Sequence, residues 1–127
     1  MNEKVNQLSE RLLDFVVKVI KLVDILPNTT AGSHIGGQLV SAGTSSGANY
    51  EEGCGAESRA DFIHKMSVSL KELKETRYWL RDIERSELLE VTYTGPLLEE
   101  CEHLCAMLGK RVSTARKNRK KSIHSGQ

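Results

Sequence analysis

The stretch AGSHIGGQLVSAGTSSGANYEEG, residues Ala31 to Gly53, decides the fold. Gly32, Gly36, Gly37, Gly43 and Gly47 are joined here by Ala31, Ser33, Ser41, Ala42, Thr44, Ser45, Ser46 and Ala48. Taken alone the stretch reads as a loop, since each internal glycine costs a helix roughly 1 kcal/mol. The spacing says otherwise. Gly32, Gly36, Gly43 and Gly47 step by four, seven and four, with Val40 filling the gap. Small residues on one helical stripe let two backbones approach closely. The stretch is therefore predicted as a tightly packed second helix, ended by Gly53-Cys54-Gly55.

The segments on either side are helical by period. Leu8, Leu12, Phe15, Val19, Leu22 and Leu26 form an apolar stripe on a first helix from Glu3 to Leu26, and Pro27-Asn28 stops it. Leu13, Val16, Ile20 and Val23 form a second stripe beside the first. Phe62, Met66, Ser69, Leu73, Thr76, Leu80 and Ile83 mark a third helix to about Arg85, with Ser58 as N-cap and Asp61 three residues on. A short connection, Ser86 to Tyr93, follows. Thr94-Gly95-Pro96 opens a fourth helix, with Thr94 as N-cap and Pro96 in the first turn. Leu97, Cys101, Leu104, Leu108 and Ala115 carry its stripe, with Leu98, Cys105 and Val112 beside it. Order is expected to fade beyond Ala115.

Four helices with short loops predict an all-α, antiparallel up-down-up-down four-helix bundle. The domain spans 1–117, and 118–127 is a basic, disordered C-terminal tail. With 39% hydrophobic and 28% charged residues, the 127-residue chain has globular composition and no second domain. No apolar run is long enough for a membrane span, and the first residues, Met1-Asn2-Glu3-Lys4, do not resemble a signal peptide. Three cysteines, an odd number, fit reduced thiols, so the cytoplasm is the expected compartment.

Candidate chemistry is sparse. Cys101 and Cys105 are one turn apart, but His103 points about 160–200° away from both on an ideal helix. No metal set forms, and core packing is the better reading of the two thiols. Cys54 sits near Glu51, Glu52 and Glu57 at a helix C-terminus, where a thiolate is disfavoured. Those carboxylates and Asp61 are explained by solvation and helix-end effects. The glycines make neither GxxxxGK[ST] nor GxGxxG. No catalytic, cofactor or metal residue is assigned, and no enzyme activity is expected, because no acid, base, nucleophile and metal converge.

Charge is uneven. From Lys110 onward come Lys110, Arg111, Arg116, Lys117, Arg119, Lys120 and Lys121 with no acid. The other 11 basic residues face all 17 acidic ones, so the body carries −6 and the tail +7. These seven cations are candidate phosphate contacts, without interleaved aromatics for base stacking.

Apolar surface points to self-association. The two stripes of helix 1 lie about 100° apart, more than one bundle needs to bury. On helix 3, Val68 and Trp79 flank the Leu73–Leu80 line and Tyr78 points nearly opposite Leu80. Leu13, Val16, Ile20, Val68, Tyr78 and Trp79 are the candidate oligomer interface. Gly36, Gly43 and Gly47 are the candidate close-packing positions.

Three runs resemble a known family: Gln38 to Glu52 (QLVSAGTSSGANYEE), Ser58 to Lys65 continuing through Leu70-Lys71-Glu72 to Glu75–Leu80, and Pro96 to Glu100. They resemble the bacterial four-helix bundle protein family named for open reading frames in intervening sequences of large-subunit ribosomal RNA genes. The resemblance covers about residues 8–117. It implies a four-helix protomer, a ring-like homopentamer and no enzyme activity. A relative of that family is the accessory variability protein of diversity-generating retroelements, a basic pentamer that binds a reverse transcriptase and nucleic acid. Two features depart from the pattern: Val40 stands where many members carry Arg, and the body is net acidic. The resemblance thus implies a homo-oligomeric scaffold, and as an alternative an accessory protein whose partners are nucleic acid or a reverse transcriptase.

Overall fold

The computed structural model describes residues 3–124, with side chains described over 7–121. Four helices account for nearly all of it: α1 (Glu3–Asp24), α2 (Thr30–Cys54), α3 (Arg59–Arg85) and α4 (Val91–His124). No strand occurs among the described residues. Each helix packs on its neighbour in the order α1, α2, α3, α4, and α4 closes back on α1. Neither α1 with α3 nor α2 with α4 is in close backbone contact, so the helices stand at the corners of a four-sided bundle. The core at its centre holds Phe15, Val19, Leu39, Tyr50, Met66, Leu73, Leu80, Ile83, Leu104 and Leu108.

The glycine-rich stretch is a continuous helix. Thr29 caps it, its Oγ1 accepting from Gly32 N at 3.0 Å. The glycine stripe lies against α1. A Cβ on Gly36 would lie 3.2 Å from both Val23 and Leu26, one on Gly43 3.1 Å from Val19 Cγ1, and one on Gly47 3.3 Å from Val16 Cγ2. Further along the same seam, Ser9 Oγ donates to Glu51 at 2.8 Å. As residue numbers rise along α1, those of their α2 partners fall.

The other seams show the same reversal. On α2 and α3, His34 meets Trp79, Ser69 Oγ donates to Ser46 O at 2.7 Å, and a Cβ on Gly53 would meet Met66. On α3 and α4, Glu84 meets Thr94, Leu73 O accepts from Cys101 Sγ, and Ser67 meets Arg116. The α1–α4 seam has the shortest contact. It is pinned by Arg11, whose guanidinium donates twice to the Glu100 carboxylate.

Helix ends explain where the sequence reading misplaced boundaries. Ser58 caps α3 as expected, accepting from Asp61 N at 3.1 Å. The α3–α4 turn is a Schellman-type end: Leu88 N donates to Ile83 O, Glu87 N to Glu84 O, and Glu87 has φ 58°. A glutamate in this left-handed position carries none of the glycine signal that marks such ends. Thr94 is not a cap. Helix α4 starts three residues earlier, at Val91, and the buried Thr94 hydroxyl instead donates to Glu84 Oε2 at 3.0 Å. Pro96 therefore lies inside α4, in its second turn, where it leaves Thr92 O without its helical N–H donor.

Helix α4 does not end at Ala115. Helix α4 runs on through Arg116–Lys121 to His124. Lys and Arg are good helix formers, cations suit a helix C-terminus, and no Gly or Pro interrupts residues 110–124. Of the expected tail 118–127, residues 125–127 lie outside the described residues.

The close approach of α1 and α2 predicts an asymmetry among the glycines. Gly43→Leu should destabilise by about 1–3 kcal/mol or more, since Val19 fills the space. Gly109→Ala meets only ordinary contact, with Leu70 Cδ2 at 4.0 Å, and should stabilise by up to about 1 kcal/mol. Thermal unfolding of both variants checks this; equal melting temperatures would contradict the packing.

Candidate interaction surfaces

The outer face of α2 follows from its composition. From Ile25 to Tyr50 there is no Asp, Glu, Lys or Arg. The inward stripe spends Ile35, Leu39, Ala42, Ser46 and Tyr50 in the core and the glycines on α1. Exposed on the outside are His34, Gly37, Gln38, Ser41, Thr44 and Ala48, followed by Glu51 and Glu52 in the last turn. A solvated helix face normally carries charge; this one is small, neutral and flat as far as Ala48. Beside it on α1, Leu13 is 55% exposed, Val17 40% and Ile20 39%. Between the two helices runs a groove of about 290 Å³ lined by Leu12, Leu13, Val16, Thr44, Gly47 and Ala48, with Ser9 and Glu51 at one end.

The sequence-predicted interface residues divide four ways. Leu13 and Ile20 lie on this open face. Val16 does not: it is 8% exposed and packs on Gly47, because the missing Cβ there draws the valine into the seam. Val17 takes its place on the open stripe, four residues from Leu13 and three from Ile20. Val68 and Trp79 are half-buried on the α3 edge next to α2, where the Trp79 ring meets His34 edge-on at 6.2 Å. Trp79 Nε1 is buried with no hydrogen-bond partner. Tyr78 points away, 59% exposed, touching Trp79 only through an edge contact at 5.0 Å.

The seven cations from Lys110 onward do not form one patch. Being helical, they are distributed around α4, as steps of about 100° per residue require. Arg116 reaches α3 and donates to Ser67 Oγ at 3.2 Å, whereas Lys117, Arg119, Lys120 and Lys121 are exposed. Arg111 is half-buried, turned toward Tyr50 and Cys54, where its charge eases ionisation of both groups.

The cysteines occupy packing positions. Cys101 and Cys105 are buried, and Cys101 Sγ donates to Leu73 O at 3.3 Å. His103 faces outward near Glu100, at 3.9 Å, as its spacing requires. Burial, more than any charge, pushes the Cys54 thiol up; Glu51 adds to that. Burial likewise pushes the Tyr50 hydroxyl up. Cys105 is held below the ordinary thiol range, at about 7, first by the neighbouring Cys101 thiol and then, against its burial, by Arg77 and Lys74. The same contact, with burial, pushes Cys101 up. Among the described residues no group of three or more His, Cys, Asp or Glu could hold a metal ion. None of their helices is long and apolar enough to cross a membrane.

These features define a class: a four-helix, all-α protein with an open helix face that carries no Asp, Glu, Lys or Arg before Glu51. The chain belongs to the 23S rRNA-intervening sequence protein family, whose model matches residues 4–110. It is also similar to a protein of unknown function from the S23 ribosomal protein family of Bacteroides thetaiotaomicron. That structure superposes with a TM-score of 0.80 at 32% identity, covering 87% of this chain and 98% of the other. No curated protein matches. Neither family description names an enzymatic activity.

The thiol pair gives a pH signature with a definite sign. A thiol with a lowered folded value adds stability that is complete above the ordinary thiol range and lost as pH falls through about 7. Between pH 8.5 and 6.5 (about the span of that loss), the urea midpoint of the native chain should fall more than that of Cys105→Ser. Parallel pH profiles would show that Cys105 is not held below the ordinary thiol range.

Proposed function

We propose that the chain is a non-enzymatic scaffold: an antiparallel up-down-up-down bundle that assembles with copies of itself across the outer face of α2. The reversal of contact order along the α1–α2, α2–α3 and α3–α4 seams supports the antiparallel arrangement. The observation that carries the assembly is the uncharged run from Ile25 to Tyr50, exposed as small residues beside Leu13, Val17 and Ile20. Leaving such a face in water forgoes hydrophobic stabilisation, at about 25 cal/mol per Å² of apolar area. Another helix can approach it closely because almost no side chain stands in the way.

The two edges of the α2 face differ. One offers Leu13, Val17 and Ile20 from α1; the other offers Val68 and Trp79 from α3. Joining one edge to the opposite edge of the next copy is a heterologous contact, which closes into a ring. The family resemblance supplies the number five. Three free thiols fit a reducing compartment, in keeping with a cytoplasmic scaffold.

Light scattering at micromolar concentration should return five times the chain's 14.1 kDa. Val17→Glu with Ser41→Glu, both at exposed positions, should leave the helices folded and return a single chain. A native mass of 14.1 kDa would remove the assembly; a dimer would remove the ring and keep the interface.

A further inference from the structure

The opposite side of the bundle carries a second pattern. On the outer surface of α3, Lys71, Lys74, Tyr78, Arg81 and Arg85 step by three, four, three and four, so they share one face. All five are exposed. Two shallow grooves lie along this line. The first, about 320 Å³, is lined by Ser67, Leu70, Lys71 and Lys74 of α3 with Val112 and Arg116 of α4. The second, about 240 Å³, is lined by Tyr78, Arg81, Asp82 and Arg85. From Lys71 to Arg85 the path is about 21 Å long at 1.5 Å per residue.

These cations are unspent. The ion pairs among the described residues join Arg11 to Glu100, Lys65 to Glu52 and His103 to Glu100. Lys71, Lys74, Arg81 and Arg85 enter none of them, although Glu75 is next to Lys74 and Asp82 next to Arg81. In a body with 17 acidic residues, four cations outside any ion pair, on one face with the exposed Tyr78 ring and outnumbering Glu75 and Asp82 there, form an arrangement suited to an external polyanion.

The geometry points to a docking path for single-stranded nucleic acid along this side of α3, with Arg116 of α4 at one end. Lys71, Lys74, Arg81 and Arg85 contact successive phosphates, and the Tyr78 ring stacks on a base. Cations that track a backbone and aromatics that stack bases are the two parts such sites combine. Duplex fits poorly. Helix α3 is flanked by α2 and α4 at ordinary helix-packing distances of about 8–10 Å. It cannot enter a major groove about 12 Å wide without them. An anionic membrane fits poorly too, since the path has no exposed aliphatic side chain to insert. The path is distinct from the α2 face and does not depend on assembly.

The test is fluorescence anisotropy with labelled U15 and dT15 and with a 15-base-pair duplex, on the full chain across a salt series. Replacing Lys71, Lys74, Arg81 and Arg85 together by Gln should weaken single-strand binding at least about tenfold. It should also lower the slope of log affinity against log salt by about 3, near 0.7 per lost phosphate contact. Tyr78→Ala should weaken single-strand binding about tenfold with the salt slope and duplex binding unchanged, and Tyr78→Phe should restore it. Circular dichroism and light scattering confirm that each variant keeps the native fold and mass. If the fourfold variant does not fold, Lys71→Gln with Lys74→Gln should give about half the slope change. Native affinity in the variants would overturn the proposal. So would loss of binding only on deleting residues 117–127, or displacement of the oligonucleotide by an equal-length polyglutamate or by anionic vesicles as readily as by unlabelled U15.

Discussion

The structure rests on how closely α1 and α2 approach. At Gly36, Gly43 and Gly47 the side chains of Val23 and Leu26, Val19, and Val16 occupy the space a Cβ would need. Contact at this range makes many dispersion contacts from few atoms. It also settles what the two helices can do elsewhere. Val16 and Val19 are drawn into the seam, and that rotation leaves Leu13, Val17 and Ile20 outside. A helix built of small residues has little apolar surface of its own to bury, so α2 leans on α3 for most of its contact. There Ser46 and Ser69 share a buried hydrogen bond, and Gly53 receives Met66. Small residues serve both seams, and the same composition leaves α2 without Asp, Glu, Lys or Arg from Thr30 to Tyr50.

Much of this was legible in the sequence, for a definite reason. Helices α1 and α3 repeat apolar residues at the helical period, and Ser58 with Asp61 fixes one boundary. The glycine run was legible by its spacing alone, against its composition. What was not legible has physical causes. The α3 end is made by Glu87 in a left-handed conformation, which only contacts between Leu88 and Ile83, and between Glu87 and Glu84, sustain. Thr94 has the chemistry of a cap, yet its hydroxyl is taken by Glu84 across the α3–α4 seam. The basic segment reads as a disordered tail by charge, while its residues individually favour helix and nothing breaks it before Ser125.

The interaction surfaces were harder to read, because exposure depends on rotation about the helix axis. Assigning Val16 to an outer stripe follows from periodicity; its burial follows from the glycine opposite, which the sequence of α1 does not contain. Val17 was hidden for the same reason. Two signals were present in the sequence and carry more than the tail does. One is the absence of charge from Ile25 to Tyr50. The other is the basic register on α3, which shares its face with Tyr78, Glu75 and Asp82; periodicity alone assigns the Tyr78 ring to the oligomer face. Tyr78 and Trp79 are neighbours in sequence but about 100° apart on the helix, so they belong to different surfaces.

That separation bears on how the two surfaces work together. Assembly across α2 would cover the edges carried by α1 and by Trp79 while leaving the line from Lys71 to Arg85 open on each copy. A ring would then present one path per copy at fixed spacing. A single path holds few phosphates and would bind weakly at physiological salt. Several paths on one rigid body turn the second and later contacts into intramolecular ones, and their combined affinity can exceed that of one path by orders of magnitude. The net acidic body weighs less than its total charge implies, because within a Debye length of about 8 Å the path carries four cations against the two carboxylates Glu75 and Asp82. The neutral face of α2 and the basic face of α3 are in this sense one arrangement: the first multiplies what the second can hold.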